Sequence, residues 1–159
     1  MRILGIDPGI GRTGWAIIDE KSGKCTAIEY GCFETIPNSP IDGRLKLIFD
    51  HIQELIKIYK PEAMAVEELF FNTNAKTALV IGHARGVVIL AAALNNIPFF
   101  SYTPLQVKIG ITGYGRAEKK QVGDMIKLTL GLKSVPKPDD TTDALAVAMT
   151  HAYSRKMKF

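Results

Sequence analysis

The stretch Arg2-Ile3-Leu4-Gly5-Ile6-Asp7-Pro8-Gly9-Ile10-Gly11-Arg12-Thr13-Gly14-Trp15 decides the fold. Ile3 to Ile6 form a short apolar run that leads straight into one aspartate. That is the pattern of a central strand buried on both faces, with a carboxylate at its end. Pro8-Gly9 and the following glycines turn the chain, and Thr13–Asp19 reads as the return strand. An acid on a buried strand is costly unless something offsets it. Two readings of Asp7 stay open at this point. Its side chain caps the turn, or it belongs to a site completed elsewhere in the chain.

Outward from this stretch, Lys21-Ser22-Gly23-Lys24 is a turn, so Thr13–Asp19 and Cys25–Glu34 pair as a hairpin. Leu45, Ile48, Phe49, Ile52, Leu55, Ile56 and Tyr59 recur at helical spacing and predict a helix over Ile41–Tyr59, closed by Pro61. Glu62–Leu69 reads as a strand with Glu67-Glu68 near its end. Asn72-Thr73-Asn74 offers caps for a long helix over Ala75–Leu94. That helix is apolar nearly all round, with Gly82 and Gly86 on one face, so it is deep core or a partner interface. Ile97–Tyr102 is a short strand, and Thr103-Pro104 opens a brief helix. Thr112–Arg116 is a Gly-rich loop, Ala117–Leu130 a helix, and Val135-Pro136-Lys137-Pro138 a stiff linker. The last helix starts at Asp140 or Thr141 and runs to about Arg155. The expected fold is α/β: a five-stranded mixed sheet, an antiparallel meander then parallel strands, with helices on both faces. The first strand is central, and the strand carrying Glu67 lies beside it in parallel.

The 159 residues, 47% hydrophobic and 23% charged, suit one globular domain. We expect it over residues 1–155, with 156–159 as a frayed tail. A formal net charge of +4 permits a nucleic-acid partner without requiring one. Cys25 and Cys32 lack metal-ligand spacing and suit reduced thiols of a cytoplasmic protein. The apolar start is too short for a signal peptide. The longest apolar run, Ala78–Leu94, is interrupted by His83 and Arg85 and is too short to span a bilayer.

Acids recur in awkward places. Alternation sends Glu67 and Glu68 to opposite faces of the sheet, and Glu67 is the one that can join Asp7. Asp140 and Asp143 are three apart, on one face of one helical turn, and Ala144–Met149 behind them packs inward. Each alone has an ordinary explanation: Asp140 suits a helix start, and a strand-end glutamate is commonly solvated. Together they place four carboxylates around one point, a cluster that repels itself unless cations sit in it. Hard oxygen ligands favour Mg²⁺ or Mn²⁺ over zinc. Two such ions are the arrangement that cuts phosphodiesters. No Walker-type loop or Ser/His/Asp set competes for the chemistry.

Six segments then occur in order: Gly5-Ile6-Asp7-Pro8-Gly9, Val66-Glu67-Glu68-Leu69-Phe70, Ala84-Arg85-Gly86, Gln106-Val107-Lys108, Ala117-Glu118-Lys119 and Asp140-Thr141-Thr142-Asp143-Ala144-Leu145-Ala146. In them, and over nearly the whole chain, the sequence resembles the RuvC family of bacterial Holliday-junction resolvases, nucleases with the RNase H-like fold. The resemblance implies a homodimer that cuts opposing strands of a four-way DNA junction in recombination and repair. It implies 5′-phosphate and 3′-hydroxyl ends that a ligase can seal, and work alongside the branch-migration proteins RuvA and RuvB. Asp7, Glu67, Asp140 and Asp143 match the family's acidic tetrad; some relatives carry His where Asp140 stands.

Phe70 matches the family position that stacks on an unpaired base, a role any aromatic face can fill. Core packing is the ordinary reading for one of Phe70 and Phe71. Lys108 and Lys119 match family lysines and are expected on phosphates, against the usual reading of a lysine as solvated surface. Lys76 reads as solvated. Arg85, among apolar neighbours, reads as paired with an acid inside the protein or across an interface. The chief rival is the phosphate loop of actin-like and sugar-kinase ATPases, which Gly5–Gly9 with Thr13-Gly14 also resembles. Those proteins need two such domains and have no place for the closing Asp-x-x-Asp. Two lesser rivals are an RNA-directed nuclease of the same fold and an inactive nucleic-acid-binding domain.

Overall fold

The computed structural model describes residues 1–68 and 75–154, the side chains of 75–77 excepted. Three strands come first: β1 (Arg2–Asp7), β2 (Arg12–Lys21) and β3 (Lys24–Glu34). Then follow α1 (Ile41–Tyr59), β4 (Ala63–Glu67), α2 (Ala75–Leu94), β5 (Phe99–Tyr102), α3 (Pro104–Thr112), α4 (Lys119–Leu130) and α5 (Asp139–Ser154). The sheet order is β3-β2-β1-β4-β5, with β1 in the middle. β1 runs antiparallel to β2 and parallel to β4, and β5 continues the parallel half. This is the mixed sheet expected from the residue pattern.

Several boundaries differ from that pattern for local reasons. The β2–β3 strands run further than read, down to a two-residue turn. Ser22 and Gly23 sit there at φ 55° and 88°, the doubly left-handed turn that matches strand twist. The ladder shifts register between Ile17 and Ile18. β4 is shorter than Glu62–Leu69, although the Glu68 amide still donates to the Tyr102 carbonyl at 2.7 Å. α4 begins at Lys119 rather than Ala117, because Glu118 and Gln121 close a reciprocal cap there. α5 starts one residue before Asp140, so Asp140 lies inside its first turn. Phe70, Phe71 and the expected caps Asn72-Thr73-Asn74 lie outside the described residues, as does the tail from 155 onward.

Alternation along the strands divides the core in two. Leu4, Ile6, Ile17, Met64 and Val66 face α1 and α2. Ile3, Ala16, Ile18 and Ala65 face the layer of α3, α4 and α5. Leu4, Ile6, Ala65 and Val66 are wholly buried, which is why β1 and β4 read as continuous apolar runs. Among the described residues no helix is long and apolar enough to cross a membrane.

Candidate active site

Ile6 pairs with Val66 in the parallel β1–β4 ladder, so the next residues along the two strands are Asp7 and Glu67. By alternation both point to the α5 side. Two glycines let α5 reach them. A Cβ on Gly5 would overlap the Ala144 carbonyl and lie 2.7 Å from the Ala148 Cβ. A Cβ on Gly14, the ladder partner of Asp7, would overlap the Asp140 carbonyl. The helix therefore rests backbone to backbone on β1 and β2, with its first turn at the end of β1. Asp140 and Asp143 are carried there.

The turn after β1 does not depend on Asp7. The Thr13 hydroxyl donates to the Gly9 carbonyl at 2.8 Å. The Thr35 hydroxyl and the Arg44 guanidinium both donate to the Ile10 carbonyl, at 2.5 and 3.0 Å. Among the described residues no donor bonds the Asp7 carboxylate. These contacts weigh against reading Asp7 as a turn cap.

Burial raises the Asp7 carboxyl to about 8, and the charges of Asp143, Glu67 and Asp140 push the same way while Lys119 opposes them. Burial and then Asp143 raise Glu67 to about 7, against Lys119 and Lys108. Burial also raises Asp143, although Lys119 donates to its Oδ2 at 3.0 Å and works against the rise. Lys119 itself is held charged by that bond despite partial burial. Arg12 Nε lies 3.7 Å from Asp140 Oδ2. Glu68 is exposed, as alternation requires.

The structure thus brings together Asp7, Glu67, Asp140, Asp143 and Lys119, with Lys108 near enough to act on Glu67. Phe70 lies outside the described residues. The reading of the sequence misses Arg12 and gives Cys32 and Arg85 no place at this site. Arg12 sits in the glycine turn, where an arginine looks merely solvated. Cys32 pairs with Gly14 in the β2–β3 ladder, and burial, then Asp140, lifts its thiol to about 11. Arg85 forms no ion pair among the described residues: it donates to the Glu67 carbonyl at 2.5 Å and the Ser101 hydroxyl at 2.6 Å, and the Glu68 carboxylate is near enough for its charge to act on the guanidinium. No pattern of spacing announces a side chain that bonds a backbone carbonyl.

Among the described residues no three Asp, Glu, His or Cys side chains are gathered as a chelating cluster. The donor chemistry still fits a divalent cation. All four acids offer hard oxygens, and their charges already act on one another at a half-buried point. The ammonium of Lys119 occupies Asp143 and would be exchanged when an ion enters.

Comparison with known proteins agrees with this architecture. The family model described as "Crossover junction endodeoxyribonuclease RuvC" matches residues 3–151. A protein of that name from Brevibacillus brevis is 52% identical over 155 residues, 98% of this chain and 93% of the relative. One from Alkaliphilus metalliredigens is 54% identical over 154 residues, 97% of this chain and 94% of the relative. The structure of T. thermophilus RuvC in complex with Holliday junction substrate superposes with a TM-score of 0.94 at 37% identity. That match covers 99% of this chain and 96% of the other. With the family model matched over residues 3–151 and half the residues shared with relatives over nearly full length, the chain belongs to the RuvC family of crossover junction endodeoxyribonucleases.

Proposed function

We propose that this protein is a structure-selective endodeoxyribonuclease that resolves four-way DNA junctions in recombination and repair. It nicks two opposing strands by metal-dependent hydrolysis and leaves 5′-phosphate and 3′-hydroxyl ends. Family membership supports the substrate and the use of a divalent metal. The observation that carries the chemistry is the register of β1 on β4, which sets Asp7 beside Glu67 beneath α5.

In this reading Asp7, Glu67, Asp140 and Asp143 hold two Mg²⁺ ions, for which Mn²⁺ can substitute. When bound, such ions lower the pKa of the attacking water and offset charge on the leaving 3′-oxygen. The chain's own groups prepare the site. Burial and repulsion leave the acids short of a counter-charge, so a cation is favoured there. Lys119 bonds Asp143 in the metal-free site, and with metal held by the acids Lys119 and Lys108 would each be available to a phosphate oxygen. Phe70 stacks on an unpaired base at the crossover.

A symmetric junction needs two sites, and a homodimer supplies them. The outward face of α2 supports this: Leu79, Leu90 and Leu94 are 63%, 52% and 61% exposed, and a Cβ at Gly82 or Gly86 would meet nothing. RuvA and RuvB are the partners proposed for branch migration, and the cytoplasm the compartment.

The test is cleavage of a synthetic four-way junction, a linear duplex and an RNA hairpin, with Mg²⁺ or with chelator, and ATP turnover in the same tubes. Paired nicks in the junction alone, only with Mg²⁺, are expected. ATP turnover, or equal cutting of duplex or RNA, would overturn the reading.

A further inference from the structure

We propose that Arg85 is a positioning residue for the nuclease reaction: it fixes the place of Glu67 by tying the ends of β4 and β5 to α2. The inference rests on the functional reading above and adds a residue that touches none of the reacting atoms.

The β1–β4 ladder ends at Ile6–Val66, while the β4–β5 ladder continues to Glu67–Tyr102. Glu67 is thus the last residue of β4, held in the sheet on the β5 side beyond the reach of β1's pairing. Arg85 supplies a further anchor at this point. Its Nη1 donates to the Glu67 carbonyl at 2.5 Å, and its Nη2 donates to the Ser101 hydroxyl at 2.6 Å. Ser101 pairs with Val66 in the neighbouring strand. One guanidinium thus spans both strand ends. Its Cζ also lies 5.7 Å from the centre of the Phe99 ring on β5, within reach of a cation–π attraction.

The choice of partner matters. The group is half-buried, and burial disfavours its charge while the more distant Glu68 carboxylate favours it. Among the described residues no carboxylate lies within ion-pair distance of it. A buried guanidinium normally meets a carboxylate. Here its fork is used on two neutral oxygens of adjacent strands, one of them the backbone of a candidate metal ligand. A planar, two-pronged donor suits that task, and a lysine bonds only as a point charge. Metal ligands displaced by fractions of an ångström lose function steeply. Arg85 also sits beside Gly86 on the helix whose outer face is offered to a second protomer. The acid and the dimer helix therefore move as one piece.

The test uses the full chain with Arg85→Met, Arg85→Lys and Ser101→Ala. Each is compared with the parent for melting in chelator, melting shift on adding Mg²⁺, junction affinity, and kcat and KM for junction cutting. Arg85→Met is expected to lower kcat on the order of 10- to 100-fold. KM and junction affinity should stay within about twofold, and the Mg²⁺-induced melting shift should shrink. Arg85→Lys should recover part of both losses, and Ser101→Ala should show a smaller loss of the same kind. A folded Arg85→Met with parental kcat and parental Mg²⁺ shift would overturn the proposal. Should Arg85→Met fail to fold, parental values for both Arg85→Lys and Ser101→Ala would overturn it equally. A parent that binds Mg²⁺ but never cuts junctions overturns the functional reading instead. The melting shift is read without turnover and still decides whether Arg85 places Glu67.

Discussion

Gly14 stands opposite Asp7 in the β1–β2 ladder, and a single methyl there would strike the backbone of the helix that carries Asp140. The missing side chain is what lets α5 lie directly on the sheet. Gly14→Ala must push the start of α5 outward, since the atom in the way is a carbonyl and not a flexible side-chain tip. We expect a loss of about 1–3 kcal/mol in stability, and a loss of cleavage larger than unfolding explains. Gly43→Ala is the control. Gly43 lies in α1, where a Cβ meets nothing within 4 Å, so a gain of up to about 1 kcal/mol is expected. Denaturant melts and cleavage rates of the two variants check both. A Gly14→Ala protein as active as the parent would show that α5 is not held by this contact.

The metal-free protein should lose stability as pH rises. Asp7 titrates near 8 in the folded chain against an ordinary 3.8, and Glu67 near 7 against 4.5. Between those limits the folded state keeps protons that the unfolded state has released, so stability falls with rising pH. The window is roughly pH 4 to 8. Asp19, held below its usual range by Arg2, has the opposite slope at lower pH, and His51, lowered by burial, opposes the fall within the window just below its usual 6.5. Asp7→Asn removes one buried acid at nearly constant shape. In chelator at pH 8 it should melt at least about 3 °C above the parent. It should gain less from Mg²⁺, cut almost nothing and still bind junctions. Melting against pH in chelator, for parent and variant, checks the slope; parallel curves would refute it.

The architecture was legible because its strongest signals are local. The apolar run Ile3–Ile6 has the length of a buried strand, and the heptad-like spacing from Leu45 to Tyr59 and the long apolar run to Leu94 gave the bounds of α1 and α2 as observed. Pairing Glu67 rather than Glu68 with Asp7 followed from alternation alone. Ends were less legible. The start of α4 depends on a reciprocal cap, and the pairing that persists one residue past β4 on a tertiary hydrogen bond. The roles of Gly5 and Gly14 were hidden because close approach is a property of two elements, and a single sequence shows one at a time. The two hydrogen bonds of Arg85 were hidden for the same reason: they go to a backbone carbonyl and a serine, distant in the chain.

Lys119 is a counter-charge to the acids and, in the proposed function, a DNA contact; two readouts of one variant separate the two. Its ammonium bonds Asp143 and opposes the rise of Asp7 and Glu67. Lys119→Met should therefore move both acids further up and shift the rising limb of the pH–rate profile to higher pH. Junction affinity should fall with a shallower salt dependence, the slope of log affinity against log salt dropping by about 1 for one lost phosphate contact. An unchanged profile with unchanged salt slope would leave Lys119 as an ordinary surface residue.

The last expectation concerns α2. A helix that met only solvent on its outer face would carry charge there. Instead that face presents Leu79, Leu90 and Leu94, more than half exposed, with Gly82 and Gly86 open beside them. Leaving such a stripe in water forfeits about 25 cal/mol for each Å² of apolar surface that a partner could cover. The glycines lower the surface so that a second helix can approach closely. In the proposed homodimer two copies of this face would meet about a two-fold axis, which would also set two active sites against two opposing strands. Leu90→Asp should therefore give a monomer that retains the parental fold, since Leu90 is more than half exposed and is not one of the buried core residues. Gly86→Arg should do the same by filling the gap. Both should still take up Mg²⁺, because the acids lie across the sheet from this face. Both should lose paired nicking and leave only slow single nicks. Sedimentation at micromolar protein, circular dichroism and a cruciform-plasmid assay that distinguishes one nick from two measure these outcomes. A Leu90→Asp protein that stays a dimer and cuts both strands would put the second protomer elsewhere.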